Sequence, residues 1–146
     1  MIEYQLILQL ILATVLGAIL GLERELKEKE AGLQTYSLIV LGACLFTVLA
    51  FNYFESLSGH AGLDFDPARV IQAIAIGIGF VGGGAIFKGE SFIEGLTTAA
   101  GLWVAAGIGI AVGTEFYTLA LVTTFLTLLV LAGLGKVEKK FFQHSV

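Results

Sequence analysis

Residues 96–112 read LTTAAGLWVAAGIGIAV. The run contains no charged residue and no proline, and its apolar side chains do not alternate with polar ones. As an α-helix it would be about 26 Å long at ~1.5 Å per residue, close to the ~30 Å of a bilayer's hydrocarbon core. A helix apolar on every side has no water-facing surface to offer, so it belongs in a core or in lipid. Within it, Gly101, Ala105 and Gly109, followed by Gly113, recur every four residues. That spacing puts small residues along one face.

Four further runs have the same character: Tyr4 to Leu22, Tyr36 to Phe54, Val70 to Phe87, and Phe116 to Leu134. Each is about 17–19 residues, enough to cross with its ends snorkelling. None shows the period-2 alternation of a transmembrane β-barrel strand. The composition agrees. Of the 146 residues 57% are hydrophobic and only 14% charged, against about a quarter charged in a soluble domain. The mean hydropathy is +0.92. The predicted fold is all-α and integral to the membrane. It has a five-helix transmembrane domain over 1–135 and a short cytoplasmic tail over 136–146. The first run starts at an acid, Glu3, rather than a basic stretch, and leads into Glu23-Arg24-Glu25 rather than a small-residue cleavage site. It therefore reads as a retained helix.

Basic residues orient the bundle. Arg24, Lys27 and Lys29 follow the first helix, Lys88 the third, and Lys136, Lys139 and Lys140 the fifth. All but Arg69 of the 8 Lys+Arg thus fall on one side, which predicts the N-terminus outside and the C-terminus in the cytoplasm. The i,i+4 pairs Glu23/Lys27, Arg24/Glu28 and Glu25/Lys29 support extension of the first helix up to a break at Ala31-Gly32. Asp66-Pro67 is the signature of a helix start, with Asp66 the N-cap.

Seven of the 19 glycines fall at small-xxx-small spacing in three helices: Ala13/Gly17/Gly21, Ala75/Gly79/Gly83 and Gly101/Ala105/Gly109/Gly113. Little hydrophobic force acts between helices in lipid, so close backbone approach has to hold them together. Helices 1, 3 and 4 are therefore expected to be the closely packed, Gly-rich ones, through Gly17, Gly21, Gly79, Gly83, Gly101, Gly109 and Gly113. Gly77-Ile78-Gly79-Phe80-Val81-Gly82 matches a dinucleotide-binding fingerprint by letter, but it lies inside an apolar span with no strand before it.

Polar groups at the ends of spans are the candidate functional residues. Glu23 and Arg24 close the first helix, and Thr97 and Thr98 open the fourth on the same side. Thr97 is a candidate cap. Asp66, Arg69 and Gln72 gather at the outer end of the third helix, with Gln72 a turn deeper and suited to bonding a neighbouring helix.

Several functions are disfavoured. The net charge of −4 argues against nucleic acid as a partner. Cys44 is the lone cysteine, and His60 and His144 lie in a loop and in the tail. No nucleophile, metal-ligand spacing or cofactor motif emerges, so no enzyme, metal or cofactor is expected. The loop acids Glu55, Asp64 and Asp66 are ordinarily just solvated.

The motifs in order resemble the MgtC/SapB family of bacterial inner-membrane proteins. They run Leu20-Gly21-Leu22-Glu23-Arg24-Glu25, Ala31-Gly32-Leu33-Gln34-Thr35, Asp66-Pro67-Ala68-Arg69-Val70, Gly77 to Ile86, and Gly95-Leu96-Thr97-Thr98-Ala99-Ala100-Gly101-Leu102-Trp103. The resemblance implies a bacterial inner (plasma) membrane location and a regulatory or interaction role in magnesium limitation and virulence adaptation. It implies the F-type ATP synthase as a membrane partner. Small Mg²⁺ transporter or channel is the alternative. The lipid bilayer and a second copy, as a homo-oligomeric dimer, complete the expected partners. Two departures stand out. Gln34 occupies a position where the family often has arginine. The sequence also runs only to Val146, so the ACT-like C-terminal domain of the virulence members is not expected here, and roles carried by that domain are not transferred.

Overall fold

A computed structural model describes residues 2–57, 66–89 and 92–134. The tail expected at 136–146, with the loop residues His60 and Asp64, lies outside the described residues. The chain forms α1 (Ile2–Glu25), α2 (Leu33–Leu57), α3 (Pro67–Gly84), α4 (Leu96–Gly113) and α5 (Tyr117–Leu128), the last continuing as a π-helical stretch over Leu129–Leu134. A two-residue antiparallel pair, β1 (Phe87–Lys88) and β2 (Ile93–Glu94), joins α3 to α4. Among the described residues, five helices are long and apolar enough to cross a membrane. This is the predicted fold class.

The helix ends follow from local chemistry. Asp66 caps α3, its side chain accepting from the Ala68 amide at 3.0 Å with Pro67 in the first turn, as the dipeptide predicts. The end of α1 differs from expectation. Its break comes at Glu28, at φ 52, ahead of Ala31-Gly32. The Lys29 and Glu28 amides fold back onto the Arg24 and Glu25 carbonyls at 3.1 and 3.0 Å. This is a Schellman closure with glutamate where glycine is usual. Glu115, at φ 66, closes α4 in the same way. Gly95, at φ 84, starts α4, and a Cβ there would collide with the Ala85 carbonyl.

The core is built by α1, α2 and α4. The small faces of α1 and α4 both meet α2. A Cβ on Gly17 would lie 2.7 Å from the Tyr36 carbonyl oxygen, and one on Gly21 2.6 Å from Leu33 Cα. Gly109 approaches the Val40 backbone and Ala43, and Gly113 approaches Thr47. Leu16, Leu20, Val40, Cys44, Leu102, Ala105, Ile108 and Val112 fill the space between.

The expected grouping of helices 1, 3 and 4 is corrected here. Only 6% of the α3 span is buried, against 56% for α4, and Gly79 and Gly83 have nothing within 4 Å of a Cβ position. The element packed between α1 and α4 is α2. Its contact positions, Ala43, Cys44 and Thr47, are small without being glycine. Spacing shows that small residues share a face, but it does not name the helix that face meets. The sequence Gly77–Gly82 is helical throughout, which removes the strand-to-helix turn that a nucleotide loop needs.

Candidate functional site

Where α1 ends and α4 begins, polar groups from four segments converge in an apolar surrounding. Arg24 is 3% exposed. Its Nη1 lies 3.5 Å from Glu23 Oε2, the long edge of an ion pair. Glu23 holds a closer cation, Lys27, at 2.5 Å. Lys27 in turn donates to the Leu131 carbonyl at 2.7 Å, within the π-helical stretch, where the backbone ladder is altered. Arg24 is thus a buried guanidinium with one weak acid contact, and its Nε has no hydrogen-bond partner. Burying a charge with so little pairing is costly.

Two more groups complete the cluster. Tyr36, on α2, is fully buried with an unpartnered hydroxyl, which a Cβ on Gly101 would strike. Thr98, on α4, is 2% exposed and donates to Glu30 Oε2 at 3.0 Å, pinning the α1–α2 loop to the start of α4. The Glu30 carboxyl is held below the usual carboxylate range. Its own backbone amide is the largest cause, then the Thr98 hydroxyl, opposed by partial desolvation. Nearby, Glu25 Oε2 accepts from the Leu33 amide at 3.0 Å and serves the first turn of α2.

The structure therefore unites three of the sequence candidates, Glu23, Arg24 and Thr98, on one end of the bundle. It does not unite the rest. Thr97 is exposed, and the cap position of α4 belongs to Gly95, with no side-chain cap. Thr97 is therefore not the cap expected of it. Gln34 is exposed on the first turn of α2. Asp66 and Arg69 form an exposed pair at 3.5 Å. Because α3 and α4 run antiparallel through β1–β2, that pair sits at the opposite end. Gln72 is exposed rather than bonded to a neighbouring helix among the described residues.

Residues missed by the sequence reading matter as much. Glu30 was hidden in a charged loop, and Tyr36 looked like the first aromatic of a span. Gln9 carried a findable signal, an amide inside an apolar run. It is 2% exposed, donates from Nε2 to the Val112 carbonyl at 3.3 Å, and leaves Oε1 unpartnered. Gln5 bonds Glu115 at 2.8 Å on the same end. Between the two polar ends, Leu20, Val40, Leu102 and Ile108 are fully or almost fully buried. The interior of the three-helix core is apolar there.

The MgtC family model matches residues 10–140. The chain is 40% identical over 114 residues to the "Putative magnesium transporter YhiD" of Escherichia coli (strain K12), covering 77% of this chain and 52% of that protein. It is 37% identical over 140 residues to Protein SapB of Bacillus subtilis, covering 95% of this chain and 60% of that protein. To Protein MgtC of Brucella abortus it is 41% identical over 81 residues, covering 56% of this chain and 31% of that protein. The chain thus spans about half the length of the first of these relatives. No solved structure matches it at a significant level.

Proposed function

The chain belongs to the MgtC family, and from that premise we propose that it is a membrane regulatory protein that acts by contacts made within the bilayer, with a second copy of itself as the first partner. The observation that carries this reading is the outward face of α3. Gln72, Ile76, Gly79 and Gly83 follow one another at helical spacing and are all exposed. Glycine inside a helix costs about 1 kcal/mol relative to alanine, and no neighbour among the described residues makes use of Gly79 or Gly83. A second helix approaching closely would. Gln72 supports a like partner, since an amide is both donor and acceptor and bonds its own symmetry copy.

The rest of the reading follows the family resemblance: a bacterial inner membrane, a link to magnesium limitation or virulence adaptation, and the F-type ATP synthase as a further membrane partner. The basic residues at the ends of the spans support an N-terminus outside in this reading. No catalytic step is assigned to the chain. Mass measurement of the protein in lipid nanodiscs tests the contact. The wild type is expected as a dimer, and Gly79→Leu with Gly83→Leu as a folded monomer. A wild type that is monomeric with its helices intact would remove the basis of the reading.

Cation transport, Mg²⁺ above all, is the second reading, favoured by the printed name of the Escherichia coli relative. The apolar residues that fill the core between the two polar ends speak against a path through one copy. Mg²⁺ flux into liposomes carrying the purified protein, above that of empty liposomes, would favour transport instead.

A further inference from the structure

The geometry points to a phospholipid site between α2 and α3, with the lipid phosphate on Arg69 and one acyl chain in the groove below it. The two helices stand apart there and leave a groove of about 690 Å³, within the ~300–1,000 Å³ of a small-ligand site. Its walls include Ile39, Phe46, Val70, Ile74 and Val81. Among the described residues, Arg69 is the one charged side chain in its lining.

Arg69 lies in the first turn of α3, where the span meets the headgroups, and Val81 lies near its end. Twelve positions along a helix give a groove about 18 Å long. One leaflet is about half of a ~30 Å core, so the groove has the reach of a single acyl chain. A helix of about 10 Å diameter and the same length takes up about twice this volume, so it would lie across the open groove, whereas a single acyl chain fits within it. The groove is also a different face of α3 from the one carrying Gln72, Gly79 and Gly83, so the site stands whether or not two copies associate.

The charge fits as well. Arg69 Nε is held by Asp66 Oδ2 at 3.5 Å, and the side chain is 84% exposed. Its two terminal nitrogens have no partner among the described residues. Those nitrogens form the fork that takes phosphate in a bidentate manner. The Asp66 charge is engaged both by Nε and, through Oδ1, by the Ala68 amide at the helix start. Gly42 and Gly77 both line the groove, and a Cβ at either meets nothing within 4 Å. Their lack of side chains keeps the groove open, and no packing among the described residues requires it.

That openness makes the test clean. Gly42→Leu and Gly77→Leu put side chains into the groove at positions where a Cβ meets nothing within 4 Å, and Arg69→Gln removes the cation together with its exposed pair to Asp66. The full chain is released into detergent micelles doped with phosphatidylglycerol, or with diacylglycerol lacking the phosphate, and bound lipid is read by native mass spectrometry. The wild type is expected to retain one phosphatidylglycerol per chain and to hold diacylglycerol at least tenfold more weakly. The Arg69→Gln variant should lose about tenfold in phosphatidylglycerol retention, the scale of one charge-assisted contact. The double leucine variant should lose the lipid while keeping the wild-type melting temperature and oligomeric mass. Wild-type retention in either variant, or equal retention of the two lipids, overturns the site. So does a leucine variant that changes the oligomeric mass and leaves the lipid in place, since the groove would then seat a protein helix.

Discussion

Tyr36 shows what a single residue contributes to this bundle. Its hydroxyl is buried without a partner and lies where a methyl on Gly101 would go. An unsatisfied buried hydroxyl costs about 1–3 kcal/mol relative to a bonded one. Tyr36→Phe is therefore expected to leave thermal stability in detergent unchanged or raise it by about 1 kcal/mol. Gly101→Ala should lower it by about 1–3 kcal/mol through overpacking, and part of that loss should return in the Tyr36→Phe background. Additive effects in the double variant would show that the two residues do not meet. Gly101 was legible in the sequence because four-residue spacing of small residues has few other uses in lipid. The tyrosine opposite it was not, because its hydroxyl depth depends on how α2 lies against α4. The same holds for Arg24. The sequence placed it at a span end, and only the packing of α1 on α2 and α4 buries it to 3%.

Among the elements, α1 and its loop carry the clearest departures from expectation. The charge pairs predicted helix as far as Ala31-Gly32, yet the chain turns at Glu28, a non-glycine residue at φ 52. Its left-handed backbone costs about 1–2 kcal/mol for a residue with a Cβ. Glu28→Gly should therefore stabilise the protein by about 1 kcal/mol. An unchanged or lower unfolding midpoint would count against that closure.

The loop that follows is pinned to α4 by Glu30 and Thr98, and this gives a pH signature. A carboxyl whose folded pKa lies below its unfolded value contributes stability above the unfolded value. It loses that contribution as the pH falls through the folded value. Melting temperatures measured from neutral pH down through the carboxylate range should therefore fall less steeply in Thr98→Val than in the wild type. Identical slopes would mean that the hydroxyl does nothing for Glu30. Asp66-Pro67 was readable at the element scale because a cap is a local event. The Glu30–Thr98 bond joins residues 68 positions apart, so no local pattern encodes it.

Across the whole molecule, the number of spans and their direction relative to one another follow from hydropathy and loop length, since short connections force antiparallel neighbours. Which helices form the core did not. The faces of α1 and α4 announced themselves by glycine, whereas α2 receives them with Ala43, Cys44 and Thr47. Meanwhile α3, with as strong a glycine pattern, remains largely outside the core. That leaves a closed apolar interior made by three helices and, on a fourth, a small-residue face that no described residue covers, and the proposed regulatory role depends on that face meeting another chain. Cysteine cross-linking in native membranes examines this most directly, with Gly79→Cys introduced beside Cys44→Ala so that one thiol remains. Mild oxidation should yield a disulfide-linked dimer through Gly79→Cys and none from a control cysteine at Ile11, on an exposed face of α1. A chain that stays monomeric at Gly79→Cys, or that cross-links equally well from Ile11→Cys, would contradict the account.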